Sequence, residues 1–179
     1  MVTLRRAVPD DAPLIMAWRV ESSAGRYQPL RAMTTESLRR SLVEDANPRD
    51  GAIQRARYIV EAAPGPVGTI RLDIESREHG YGSVGYGIGE AFRGRGYATA
   101  ALRALLAVAF GPVGPNLDRV EAIAAVENIA SRRALERAGF GFEGIARGLL
   151  VIGGERVDHA RYGILRSDWL ATSGTEIES

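Results

Sequence analysis

The chain predicts an α+β fold: a mixed, mostly antiparallel sheet flanked by helices. Three observations carry that prediction. Two strand pairs are joined by tight turns, at Pro64-Gly-Pro66 and at Gly153-Gly154, the form of antiparallel hairpins. Between them lies one stretch reading strand, glycine turn, helix, strand, helix, which brings a parallel element into the sheet. A doubly wound nucleotide fold would alternate strand and helix throughout, and this chain does so only in its middle.

Residues 2–8 alternate as a strand, and Asp10 or Asp11 with Pro13 starts a helix through Glu21 whose apolar face holds Leu14, Ile15 and Trp18. Ser22 to Pro29 reads as a loop. Thr34 or Thr35 caps a second helix to about Asp45, ended by Asn47-Pro-Arg-Asp-Gly51. Tyr58–Ala62 and Val67–Ile74 form the first hairpin, and Tyr81–Ile88 is a third strand with Gly82, Gly85 and Gly87 inside it. Glycine in a strand marks a bulge or the close approach of a backbone or ligand. After the turn at Gly89–Gly96, Ala98, Leu102, Leu105, Leu106 and Ala109 recur at helical spacing until Gly111-Pro112. Arg119–Val126 reads as a buried strand and Asn128–Ala138 as a helix ended by Gly139. Residues 140–152 and 155–166 make the closing hairpin. Residues 1–168 are therefore expected to form a single domain, and 169–179 a loose polar tail.

The 179 residues suit one domain, 45% of them are hydrophobic, and the net charge is +1. All 23 Lys+Arg are Arg. A chain without lysine has no P-loop lysine, Schiff base or Ser-Lys dyad, and one without cysteine has no disulfide, zinc thiolate or cysteine nucleophile. No extended basic run argues for nucleic acid. The amino-terminal segment resembles neither a signal peptide nor a membrane span, so a cytoplasmic protein is the expectation. His79 and His159 show no metal spacing, and His159 reads as a packed strand histidine.

The turn Arg93-Gly-Arg-Gly-Tyr-Ala-Thr99 enters a helix and has the form of a phosphate cradle. The first helical N–H groups lack partners and carry partial positive charge. Gly94 and Gly96 let an anion approach the backbone, while Arg93 and Arg95 add guanidinium groups shaped for phosphate. By itself the turn admits NAD, another nucleotide or CoA. Gly139-Phe-Gly-Phe-Glu-Gly144 matches the dinucleotide glycine pattern, yet it follows a helix and enters a strand, the reverse of the required context.

Arg93-Gly-Arg-Gly-Tyr-Ala98 resembles the cofactor signature of the GNAT superfamily of acyl-CoA-dependent N-acyltransferases. Val126-Glu-Asn-Ile-Ala-Ser131 with Leu135, Gly139 and Phe140 is similar to the family's second cofactor segment. The wording around Gly85-Tyr-Gly-Ile, Asn128–Leu135 and Asp158 looks like the RimJ/RimL-like ribosomal-protein N-terminal acetyltransferases, a branch that also holds small-molecule acetylators. The resemblance implies a GNAT-like sheet with splayed strands at the acyl-CoA site and acetyl-CoA as cosubstrate without a metal. Tyr86, Gly87 and Ile88 would pair with pantetheine, with backbone N–H near Ile88 polarising the thioester. Arg93, Gly94, Arg95, Gly96, Tyr97, Ala98 and Thr99 would hold the pyrophosphate. Asn128, which also suits a helix cap, and Ser131 would face the pantetheine and sulfur.

The implied acceptor is a primary amine, either a protein N-terminus or a small molecule, and a homodimer through the C-terminal strands fits the resemblance. The family's occasional glutamate early in the third strand is absent from Tyr81-Gly-Ser, and its frequent tyrosine acid on the later helix is replaced by Leu135. Ser131 is left as the acid and Glu143 as the base, and a catalytically idle acyl-CoA-binding domain is the alternative reading. An α-amine is about 3.5 kcal/mol cheaper to deprotonate at neutral pH than a lysine amine, so a weak base favours the α-amine. Asp73 or Glu75 could supply a stronger one. Trp18, Arg26, Tyr27, Arg147 and Tyr162 are the candidate acceptor-pocket side chains.

Overall fold

A computed structural model describes residues 1–47 and 54–175 of the chain. Its centre is a seven-stranded sheet of spatial order β1-β2-β3-β4-β5-β7-β6, made of β1 (Thr3–Arg6), β2 (Arg55–Ala62), β3 (Gly65–Ser76), β4 (Tyr81–Ile88), β5 (Arg119–Ala125), β6 (Gly141–Ile152) and β7 (Glu155–Leu165). Every neighbouring pair is antiparallel except β4 and β5. The helices are α1 (Ala12–Arg19), α2 (Thr35–Ala46), α3 (Tyr97–Phe110), α4 (Ile129–Arg137) and α5 (Arg166–Thr175).

Period-two alternation in β2 explains how the sheet is covered on both sides. Tyr58 and Val60 join a core with Ile70, Leu72, Val120 and Tyr162 under Leu102, Leu105 and Leu106 of α3. Ile59, pointing the other way, packs with Ile15 of α1 and Leu38 and Leu42 of α2. Burying a side chain of this size contributes about 1.5–3 kcal/mol, so the two clusters fix α3 and the α1–α2 pair on opposite faces.

The expected boundaries hold within a few residues. The first helix is shorter, because a 3-10 turn at Pro9–Asp11 precedes it and it ends at Arg19. Thr34 caps α2 by accepting a hydrogen bond from the Ser37 backbone N–H at 3.1 Å. Of the segment expected to end that helix, Asn47 is its terminal cap, and residues 48–51 lie outside the described residues. The tail departs from expectation, since α5 continues through Thr175 and seats Trp169 on Phe110 with ring centroids 5.8 Å apart.

Candidate acyl-transfer site

β4 and β5 pair only at their first three positions, Tyr81 with Arg119, Gly82 with Val120 and Ser83 with Glu121. β4 then runs on to Ile88 beside β3, and β5 to Ala125 beside β7. The two strands open into a V, and the β4 edge facing it from Val84 onward has no strand partner among the described residues. Unpaired strand-edge groups are a template for an extended ligand.

The V leads into the glycine turn. Gly94 and Gly96 have φ of +74° and +78°, a region that costs side-chain-bearing residues energy, and a Cβ at either would meet nothing within 4 Å. Gly96 is the N-cap of α3 and no side chain caps that helix. The N–H groups of its first turn therefore stay open to an anion. Arg95 is exposed and makes no ion pair among the described residues. Arg93 is engaged within the protein. Its Nε donates to the Ile88 carbonyl at 3.0 Å, its Nη1 donates to Ser23 Oγ at 2.5 Å, and it lies 3.9 Å from Glu21.

Those contacts belong to a clasp between the loop after α1 and the glycine turn. Glu90 accepts from the Ser23 N–H at 2.8 Å and the Ser22 hydroxyl at 3.2 Å, while Glu21 accepts from the Glu90 N–H at 3.0 Å. The Ser23 hydrogen bonds hold the Glu90 carboxyl below the usual carboxylate range.

Across the V, Asn128 caps α4, its Oδ1 accepting from the Ser131 N–H at 3.1 Å. This brings Ser131 Oγ to 2.7 Å from the Tyr86 hydroxyl, which also donates to the Ser131 carbonyl at 3.2 Å. Burial is the main reason that the Tyr86 phenol is pushed up to about 12. It stays protonated at neutral pH and can donate.

On the opposite face of β4, a cleft of about 200 Å³ lies between the α1–α2 layer and the sheet. Trp18 and Met33 line its helix side, Arg57, Thr69 and Arg71 its floor, and Gly85–Ile88 the wall next to the V. Glycine makes this wall possible. A Cβ at Gly85 would press on the Arg71 guanidinium at 3.3 Å, one at Gly89 on the Trp18 ring at 2.7 Å, and one at Gly87 would enter open space.

The acetyltransferase (GNAT) domain family matches residues 1–141. The chain belongs to that family. This GNAT domain is an acetyl-CoA-dependent N-acetyltransferase acting on amines. It is 25% identical over 170 residues to the uncharacterized N-acetyltransferase p20 of Bacillus licheniformis, covering 94% of both chains. Its fold is similar to that of the ribosomal-protein-S5-alanine acetyltransferase of Vibrio fischeri, with TM-score 0.83, 23% identity and 94% of each chain covered. It is equally similar to that of the spermidine N-acetyltransferase of Vibrio cholerae in complex with CoA and spermine, with TM-score 0.82, 23% identity, and 94% of this chain and 98% of that one covered.

Acetyl-CoA suits what this GNAT domain presents: an unpartnered strand edge, an uncapped helix end behind two left-handed glycines, and a hydroxyl pair beyond them. Not every residue expected to serve the transfer is placed there. Glu143 is held by Arg119 through two bonds of 2.8 and 2.6 Å, and that pairing lowers its pKa. Arg119 sits opposite Tyr81 at the paired base of the V, seven residues or about 23 Å of strand from Ile88, so Glu143 is removed from the reacting end. Leu135 is fully buried in the main core and offers the site nothing.

The acceptor candidates divide similarly. Trp18 lines the cleft, whereas Arg26 and Tyr27 stack on each other at 5.0 Å outside its lining, and Arg147 is exposed on β6. Tyr162 is buried, bonded to Arg132 at 3.1 Å and Glu136 at 2.9 Å. His159 is buried with Nδ1 2.9 Å from the Val157 carbonyl. Asp73 is tied between Arg55 and Arg71, and Glu75 accepts from Ser83 at 2.5 Å. Among the described residues no group of three His, Asp or Glu could hold a metal.

The Tyr86 hydroxyl is the feature that sequence reasoning missed, since Tyr86 was expected to contribute its backbone alone. The available signal was its alternation with Val84 on the face toward the main core.

Proposed function

We propose that this acetyltransferase modifies a primary amine of low pKa, either a protein N-terminal α-amine or a small-molecule amine, and that Tyr86 with Ser131 manages the proton. The carrying observation is the 2.7 Å hydroxyl pair, which bridges β4 and α4 where the V opens. When bound, acetyl-CoA supplies the activated acyl group. The N–H groups of residues 94–99 and Arg95 would hold its pyrophosphate, and the β4 edge at Tyr86–Ile88 its pantetheine. Arg93 would keep the turn in shape.

The amine nitrogen loses one proton as it becomes an amide nitrogen, and the departing sulfur needs one. Tyr86, protonated at neutral pH, would turn its one O–H from the Ser131 carbonyl toward the departing sulfur, and Ser131 would hand on the proton that the amine loses. Asp73 and Glu75, the stronger bases that the sequence offered, are engaged by Arg55, Arg71 and Ser83, which supports an amine that reaches its neutral form without a strong base. The structural neighbours named for S5-alanine and spermidine acetylation span both acceptor classes. A homodimer through β6 is supported by that edge strand, which exposes Phe142, Ile145, Leu149 and Val151.

The test is free-thiol release from acetyl-CoA across peptides of varied first residue, polyamines and aminoglycosides, beside a calorimetric acetyl-CoA titration. Acetyl-CoA binding with one thiol released per amine acetylated is expected. Binding without turnover of any amine would leave an acyl-CoA-binding domain instead.

A further inference from the structure

We infer that the acceptor carries a carboxylate beside its amine, read by a guanidinium floor under the cleft, and that polyamines are excluded. The inference rests on the acceptor reading above but adds the chemistry of the part that does not react. The cleft is lined by four arginines, Arg19, Arg57, Arg71 and Arg93, against one carboxylate, Glu21. Glu21 is already committed to the Glu90 N–H and Arg93. Arg19 donates to the Arg31 carbonyl and makes no ion pair among the described residues.

The floor is built with donors to spare. Arg57 has only 13% of its side chain exposed, and its nearest carboxylate, Asp45, stands 3.7 Å away, beyond hydrogen-bond length. Asp45 Oδ2 is itself buried without a hydrogen-bond partner among the described residues. A guanidinium has five N–H donors, and burial makes unpaired ones costly. Arg71 spends its Nε on Asp73 at 2.7 Å and lies flat over Gly85, next to the wall where transfer occurs. Its side chain is half exposed and lines the cleft. With Arg55, these groups place three cations against the two carboxylates Asp45 and Asp73. A planar fork matches a carboxylate through two parallel bonds, whereas a second ammonium would meet like charge.

The experiment compares acceptors that share an amine and differ in carboxylates: C-terminally amidated Ser-Asp-Glu-Gly against amidated Ser-Asn-Gln-Gly, free aspartate against its diamide, and spermidine. At least a tenfold higher kcat/KM is expected for an acidic acceptor than for its neutral partner, with spermidine below both. Whichever acidic acceptor is faster, peptide or free amino acid, identifies the source of the carboxylate. Arg71→Gln, a half-exposed position, should bring the acidic-to-neutral ratio toward one. The Asp45→Asn/Arg57→Gln pair, which removes both buried charges together, should do the same. Equal turnover of acidic and neutral partners, a preference for spermidine, or a ratio unchanged in both variants overturns the inference. A second readout does not need turnover: calorimetric binding of the N-acetylated acidic and neutral peptides. Equal affinities would overturn the carboxylate site even if no amine were acetylated, while tighter acidic binding without turnover would retain the site and sink the acceptor reading.

Discussion

Replacing Tyr86 by Phe removes one hydroxyl from the mouth of the V and leaves the ring packed. Its phenol, pushed up to about 12, is a weaker acid than an ordinary thiol near 8.5. Complete proton transfer from tyrosine to thiolate would run uphill by about 3.5 units, or about 5 kcal/mol. In the proposed relay Tyr86 would therefore act through a hydrogen bond to developing negative charge and through exchange with Ser131, not as a lone acid. A hydrogen bond to a charged group is worth about 1.5–3 kcal/mol, so kcat should fall between about tenfold and about 150-fold. The KM for acetyl-CoA should stay within twofold, because the interaction belongs to the transition state.

Losing bonds of 2.7 and 3.2 Å also removes about 1 kcal/mol of stability, a fall of about 2–4 °C in Tm. Thiol-release kinetics on Tyr86→Phe, Ser131→Ala and the double variant provide the assay. If the two hydroxyls form one relay, the double variant is no slower than the slower single. A folded Tyr86→Phe enzyme with kcat within twofold of the parent refutes the proton role. The raised phenol pKa carries a stability consequence too. Above pH 10 the unfolded chain releases a proton that the folded one keeps, so this group's contribution declines as pH rises from about 10 toward 12.

Gly96→Glu puts a side chain at φ +78° and a negative charge on the open end of α3, and should raise the KM for acetyl-CoA by at least tenfold; saturation kinetics with unchanged KM would disprove the cradle. Gly87→Ala adds a methyl where no protein atom lies within 4 Å, so Tm should hold within a few degrees while kcat/KM for the amine falls at least tenfold, as paired melting and turnover measurements would show. Glu143→Gln should leave kcat within twofold and, for an ion pair 39% exposed on its acid side and screened by solvent, cost at most about 1 kcal/mol. Because Arg119 lowers the Glu143 pKa, that contribution is present above about pH 4.3 and lost as pH falls through the lower folded value. Melting curves of parent and variant should thus converge in acid.

What was legible in the chain was local. The bounds of β4, the left-handed Gly139 that ends α4 and the Asn128 cap of α4 depend on residues within a few positions of each other, where turn chemistry and periodicity act. The misplacements came from long-range register. A bulge between Phe142 and Gly144 turns Glu143 across β7 to Arg119, which linear distance from Gly139 does not encode. The bond from Arg93 to Ser23, seventy residues earlier, is likewise not encoded in the turn itself. The missing helix tyrosine looked like a lost acid, whereas a hydroxyl reaches Ser131 from the neighbouring strand.

The same division separates the two substrates. The donor half is a strand edge and a helix end, set mainly by backbone, so a short motif suffices to specify it. The cleft proposed for the acceptor is assembled from side chains of α1, β2, β3 and β4 that meet only after the sheet has formed. If the cleft takes the acceptor as proposed, exchange of a single charged side chain such as Arg71 would alter the amine accepted without disturbing the glycine turn proposed for the donor.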